Sequence, residues 1–334
     1  MLTRFTTPRL GLILPAYNEQ EVLPTTLSKL NTIKATLIQK NLISDDSFIM
    51  VVDDGSVDNT WEIIQEKEQL NSDLIGVKLS RNFGHQSALL AGMSESIKVA
   101  DIVITLDADL QDNPDIIQKM VLKYKAGNEI VYGVRSSRKT DTWFKRNTAL
   151  TFYKISSFLG VEMVPNHADF RLMSRVAVLA LLRLPERNVF LRAMVPLVGF
   201  QSDKVFYERG ERQAGTSKYP LKKMLSFAID GITSFSIQPI RLLFNLGILV
   251  ISIASIEIVY TIFEKMIGNT EAGWSSLMIS IWLLGGINLV AISIVGIYIG
   301  KIFTEVKQRP LFQIETETGL FVEKLRKVDD YAMK

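Results

Sequence analysis

Two long apolar stretches near the C-terminus constrain this chain more than any other feature. Trp274 to Gly300 contains no charged residue, and Leu242 to Phe263 contains one, Glu257. The hydrocarbon core of a bilayer is about 30 Å thick and is crossed by roughly 20 apolar residues in helix. Each stretch is long enough, and the ten residues between them, Glu264 to Gly273, are too few for a domain. The pattern is a helical hairpin. Any chemistry then belongs to the residues before it, held against one membrane face.

Of the 334 residues 47% are apolar, which supplies one sizeable core besides the hairpin. A net charge of +3 falls short of the basic excess of a dedicated nucleic-acid binder. The absence of cysteine excludes disulfides, thiolate catalysis and Cys-ligated zinc. Only His85 and His167 are histidines, so any metal should be a hard cation on carboxylate oxygens. Met1 to Pro8 lacks the apolar core of a secretory signal. Arg241 precedes the first apolar stretch and Lys301, Lys307 and Arg309 follow the second, while the turn sets Lys265 against Glu264 and Glu271. The positive-inside rule then places both termini and the large domain on the cytoplasmic side of the inner membrane.

Short apolar runs read as buried parallel strands: Leu10 to Leu14, Phe48 to Val52, Leu74 to Leu79, Asp101 to Leu106 and Glu129 to Val134. Helical patterns alternate with them at Glu19 to Gln39, Asn59 to Gln69, Gln86 to Val99 and Pro114 to Lys125. Asp58 or Asn59 can cap the second helix, and Asn113 with Pro114 opens the last. This alternation implies an open α/β sheet with right-handed crossovers. Ligands bind beyond the carboxyl ends of such strands, so the loops there should converge on one edge. Lys218 to Arg241 reads as an amphipathic segment in the headgroup layer, or as a surface helix of the domain.

Three acidic loops follow strand ends. Asp107 and Asp109 can hold Mg2+ or Mn2+ together with a diphosphate; the alternative is a solvated turn that caps a helix. Asp53-Asp54-Gly55-Ser56 can accept hydrogen bonds from a ribose or base, or form a turn. Tyr17 within Pro15 to Glu19 can stack a base, or the segment is a helix start with acidic first-turn residues. Neither GxGxxG after the first strand nor GxxxxGK[ST] occurs, so a bound diphosphate requires a metal to neutralise it. Arg135 ends a strand near these loops. Arg212 and Lys218 flank a glycine-containing loop before the hairpin and suit a lipid phosphate, or a general attraction to anionic lipid.

Taken together, PAYNE at 15–19, VVDDGSVDNT at 51–60, SRNFGHQSALLAGM at 80–93, LDADLQD at 106–112, YGVR at 132–135, ADFRLM at 168–173, RQAGTSKY at 212–219 and KIFTEVKQRPLF at 301–312 carry a resemblance. The chain resembles the polyprenyl-phosphate glycosyltransferases of glycosyltransferase family 2, among them dolichol-phosphate mannose synthases and bactoprenol glucosyltransferases. The two-stretch C-terminus looks most like the bactoprenol branch, which uses UDP-glucose. The resemblance implies a GT-A-type, Rossmann-like catalytic domain over 1–219, an interfacial segment over 220–241, two transmembrane helices within 242–300 and a cytoplasmic tail over 301–334. It implies that Pro15, Tyr17, Glu19, Val52 and Asp54 hold the nucleoside. Asp107, Ala108, Asp109 and Gln111 would surround diphosphate and metal, and Arg135, Arg212 and Lys218 would grip phosphates. Dolichol-type members often carry His-Pro after DxDxQ; here Asp112-Asn113-Pro114 stands instead, so Asp112 either joins the site or caps a helix. Asp169 to Arg171 match without an assigned role.

The expected reaction is an inverting transfer of glucose from UDP-glucose to undecaprenyl phosphate. The partners are then a UDP-sugar, a polyprenyl phosphate and the membrane, with homo-oligomers built through Gly285, Gly286, Asn288 or Glu257. Another nucleotide sugar, GDP-mannose or a modified UDP-sugar, is the nearest alternative. A non-catalytic membrane-anchored scaffold is disfavoured by the intact Asp54, Asp107 and Asp109. A processive polysaccharide synthase calls for more spans and a QxxRW motif, and a transporter for a polar path through the membrane.

Overall fold

The computed structural model describes residues 4, 6–109, 111–136, 167–208, 236, 238–267 and 273–318. Described residues up to 208 and from Arg309 onward form one compact unit, and those from Ser236 to Gln308 form a second. The first unit is built on a sheet. In chain order it runs β1 (Leu10–Ala16), α1 (Leu23–Gln39), β2 (Phe48–Asp53), α2 (Thr60–Leu70), β3 (Leu74–Leu79), α3 (His85–Ser96) and β4 (Ile102–Thr105). A 3-10 turn (Pro114–Ile116), α4 (Ile117–Lys125), β5 (Ile130–Arg135), β6 (His167–Ser174), α5 (Arg175–Leu182), α6 (Leu191–Leu197) and β7 (Ser202–Tyr207) follow. In the second unit lie α7 (Gln238–Ile267) and α8 (Trp274–Lys307), after which β8 (Ile314–Glu317) returns to the sheet.

Every residue of β1 and β2 is buried, as strands covered on both faces must be. Strand β1 pairs in parallel with β2 on one side and β4 on the other, and β2 pairs in parallel with β3. These are four of the five strands expected from the apolar runs. The covering helix α3 approaches closely because of Gly92, where an added Cβ would lie 2.4 Å from Ile13 Cγ2 and 2.9 Å from Val52 Cγ2. Helix α1 starts at Leu23 rather than Glu19. Asn18 takes a left-handed conformation (φ 55°) and Pro24 occupies the first turn, so Glu19 to Val22 form a turn instead.

The sheet is mixed rather than wholly parallel, in the order β7-β5-β6-β4-β1-β2-β3-β8. Strand β6 runs antiparallel between β4 and β5, and β8 runs antiparallel along β3. Strand β8 is anchored at its end. The Gly76 amide donates to Thr318 Oγ1 at 2.9 Å, the Thr318 amide donates to Gly76 O at 3.0 Å, and Lys78 pairs with Glu315 at 3.3 Å. The edge of β3 that water would otherwise meet is thereby paired.

In the second unit the two apolar stretches are helices, 30 residues in α7 and 34 in α8. Among the described residues, Leu284–Lys307 is long and apolar enough to cross a membrane. Phe244, Val259, Leu289 and Ile292 stand exposed on the two helices. Tyr298 Oη donates to the Ser236 carbonyl at 2.5 Å, and α8 stops where Gln308 turns left-handed. The interfacial segment expected over 220–241 lies outside the described residues up to 235; Gln238 to Arg241 are the first turn of α7.

Thr318→Val should destabilise the protein by about 1–3 kcal/mol, because the buried Gly76 amide loses its acceptor. Thr318→Ser should restore most of that loss. Denaturant unfolding of the purified protein measures both, and equal effects of valine and serine would remove the hydroxyl's role.

Candidate active site

The parallel order β4-β1-β2 brings three acidic loops to one sheet edge. Ala16 pairs with Asp53 across β1 and β2, and Ile13 pairs with Thr105 across β1 and β4. Two of the loops are tied to one another. The Asn18 amide donates to Ser56 Oγ at 3.0 Å, the Val57 amide to Asn18 Oδ1 at 2.9 Å, and the Glu19 amide to Thr60 Oγ1 at 2.9 Å. Asn59 is the cap residue of α2 but makes no side-chain cap bond, and Asp58 Oδ1 accepts the Thr60 amide at 3.1 Å. Tyr17 stands 40% exposed beside this lattice, open to a flat ligand.

Asp54 holds the loop after β3. Its two carboxylate oxygens accept the Phe83 amide at 2.7 Å and the Gly84 amide at 2.9 Å. Burial raises its pKa, against the pull of those two amides. Gly55 makes the approach possible: at φ 69° an added Cβ would lie 2.5 Å from the Arg81 carbonyl carbon. The neighbouring Asp53 is fully buried, and its Oδ2 has no hydrogen-bond partner.

The loop after β4 carries the candidate metal ligands. Asp107 Oδ1 is buried and lacks a hydrogen-bond partner, although the side chain as a whole is 41% exposed. Burial pushes its pKa up, while the His85 charge holds it down. Asp109 Oδ1 accepts the Gln111 amide at 3.2 Å, and the Ala108 carbonyl accepts from Thr26 Oγ1 at 2.6 Å. Among the described residues no three His, Cys, Asp or Glu side chains form a ready-made metal cage. An orphaned buried carboxylate oxygen beside a second carboxylate nonetheless fits Mg2+ or Mn2+, ions that take much of their coordination from substrate phosphates.

His85, the first residue of α3, faces Asp107 Oδ1 at 3.6 Å and Asp169 Oδ2 at 3.7 Å. Burial lowers its pKa, but Asp169 and Asp107 outweigh that and leave it raised. Asp169 enters from β6, paired with Arg171 and, at 3.2 Å, with Arg192 of α6. Burial disfavours its charge, yet Arg192, His85 and Arg171 hold its pKa well below the usual carboxylate range. The position is fixed further by Thr105 Oγ1, which donates to the Asp169 carbonyl at 2.5 Å, and by Arg171 Nη1, which donates to the Leu191 carbonyl at 3.3 Å.

Asp112 does not cap the helix and pairs with Arg135 instead. Its buried carboxylate receives Arg135 through Nε at 3.1 Å and Nη2 at 3.0 Å, while Asn113 caps the following turn by accepting the Asp115 amide. Pro15 and Val52 are the penultimate residues of β1 and β2, Tyr17, Glu19, Asp54, Asp107, Ala108, Asp109 and Gln111 follow the ends of β1, β2 and β4, and Arg135 closes β5. The Val52 side chain is fully buried toward α3, which leaves only its backbone for a ligand. Arg212 and Lys218 lie outside the described residues. Sequence reasoning missed His85 and Arg192 and left Asp169 without a role. The available signal was a histidine just after a strand, on the glycine-led start of a helix.

A family model described as Glycosyl transferase family 2 matches residues 12–182. An uncharacterized glycosyltransferase of Bacillus subtilis (strain 168), YkoT, is 50% identical over 93% of this chain and 92% of its own. The SfII prophage-derived bactoprenol glucosyl transferase of Shigella flexneri is 37% identical over 92% of this chain and 97% of its own. Among solved structures, the mannosyltransferase PcManGT of Pyrobaculum calidifontis, in complex with GDP-Man and Mn2+, is similar at a TM-score of 0.42 and 14% identity, covering 91% of this chain and 87% of that one.

Asp169→Asn leaves Arg171 buried without its counter-charge, a change that costs about 3–5 kcal/mol. The folded pKa of Asp169 lies below its unfolded value, so its contribution is whole above about pH 3.9 and is lost as pH falls toward the folded value. Unfolding titrations of wild type and variant should differ most near neutrality and converge in acid. A gap that stays constant with pH would contradict this account.

Proposed function

Because the chain belongs to glycosyltransferase family 2 and is similar over most of its length to bactoprenol glucosyl transferases, we propose that it transfers glucose with inversion from UDP-glucose to undecaprenyl phosphate. The products are the lipid-linked glucosyl phosphate and UDP. The observation that carries this reading is the convergence of Tyr17, Asp107, Asp109 and Asp169 on one sheet edge, together with relatives named bactoprenol glucosyl transferase at 36–37% identity.

Tyr17 stacks the base, and the interlocked loops after β1 and β2 enclose the nucleoside. Asp107 and Asp109 would hold Mg2+ or Mn2+, which when bound supplies charge stabilisation to the departing UDP. Asp169, kept anionic by its three cationic neighbours, lies beside the same centre and fixes the placement of His85 and Arg192. The acceptor needs little deprotonation, since a phosphate monoester has its second pKa at about 6 and is largely dianionic near neutrality. Placement of its oxygen in line with the anomeric carbon is then the main requirement. Arg212 and Lys218 serve as its phosphate grip. Helices α7 and α8 form a two-span hairpin with both ends cytoplasmic, which anchors the chain in the membrane that carries the lipid acceptor.

Membranes holding the protein, incubated with a panel of UDP- and GDP-sugars plus undecaprenyl phosphate, should yield a hexosyl-phosphate lipid from UDP-glucose. A product formed only from another donor would reassign the sugar. Asp109→Asn should abolish transfer while leaving the protein folded, and near-normal activity would remove the metal role. Cysteines introduced at residues 270 and 330 should label from the periplasmic and cytoplasmic sides respectively; labelling of both from one side would reject the hairpin.

A further inference from the structure

Arg135 resembles a phosphate-gripping residue, yet its guanidinium is already engaged. Nε and Nη2 reach Asp112 Oδ1 at 3.1 and 3.0 Å, and Nη2 reaches Oδ2 at 3.3 Å. The partners come from strands that are not neighbours: Asp112 follows β4, Arg135 ends β5, and β6 lies between them. Strands sit about 4.8 Å apart, so the loop after β4 crosses roughly 10 Å, over the first residues of β6, to reach this partner. Asp112 is 4% exposed, and the Asp112 carboxylate keeps Arg135 charged against its burial. Tyr207 packs beside them, its ionisation pushed up by burial and by Asp112. Helix initiation uses nothing from Asp112, because Asn113 does that work.

The same loop carries Asp107 and Asp109. Asp109 is oriented by the Gln111 amide, and Gln111 is the residue next to Asp112. A pull on Asp112 therefore sets the amide that aims Asp109. We propose that Asp112 and Arg135 form a latch that holds the Asp107–Gln111 loop in the shape that binds metal and nucleoside diphosphate. Asp112 is a positioning residue, and Arg135 acts through it rather than on the donor. The inference rests on the function proposed above and names which residues make its diphosphate site.

The test is calorimetric titration of the purified full-length protein with UDP, with and without Mn2+. Wild type, Asp112→Asn, Arg135→Ala and the double variant are compared. Outer residues that orient metal ligands typically change metal affinity by about 10- to 100-fold, and a loss of that size is expected for each single variant. The double variant should be no worse than either single one. If Arg135 instead grips the diphosphate directly, Asp112→Asn frees its guanidinium; binding would then hold or tighten, and the double variant would fall well below Asp112→Asn. That result overturns the latch. Should Asp112→Asn fail to fold, Arg135→Lys provides the same reading. It keeps the charge but loses the two-pronged geometry, so weakened Mn2+-dependent binding supports the latch and unchanged binding overturns it. Wild type without Mn2+-dependent UDP binding overturns the functional reading and the latch together, whereas binding by wild type that Asp112→Asn leaves untouched overturns the latch alone.

Discussion

Crowded carboxylates repel one another, and the active edge of this protein exists only because nearly every one is answered by a fixed donor. Asp54 takes two amides from the loop after β3, Asp112 takes the fork of Arg135, and Asp169 takes Arg171 and Arg192. Asp53 and Asp107 are the exceptions, each with an oxygen that lacks a hydrogen-bond partner, and of the two Asp107 lies on the candidate metal loop. The negative potential is thus organised rather than merely tolerated. Its unanswered part sits where a cation and a diphosphate would complete it.

The same logic explains which parts of the fold could be read from residue patterns. Strands β1, β2 and β4 are continuous apolar runs that stop at an acidic turn, because both faces of each are covered. Strand β6 hides its nature. Its sequence, HADFRLMS, places Asp169 and Arg171 in the interior, where mutual pairing makes burial possible, so hydrophobicity fails as a signal. Strands β7 and β8 lie at the two sheet edges and carry exposed polar residues, which weakens their pattern.

The candidate site residues divide along similar lines. Those following apolar strands, Tyr17, Asp54, Asp107 and Asp109, were legible because chain geometry alone delivers strand ends to one edge. His85, Asp169 and Arg192 depend on α3, β6 and α6 meeting in space, which no local spacing encodes. Asp112 is intermediate. Its position was plain, but helix cap and ion-pair partner are indistinguishable until β5 is set beside the loop.

Strand β8 has a consequence for how the molecule is made. It is the final described element of the chain and the one that closes the β3 side of the sheet. A ribosome releases it only after α7 and α8 have been synthesised. The nascent enzyme therefore carries an open strand edge through most of its production, in the state most prone to mispairing. Completion of the sheet then becomes a late checkpoint on biogenesis, reached only by chains whose two long helices have already been produced.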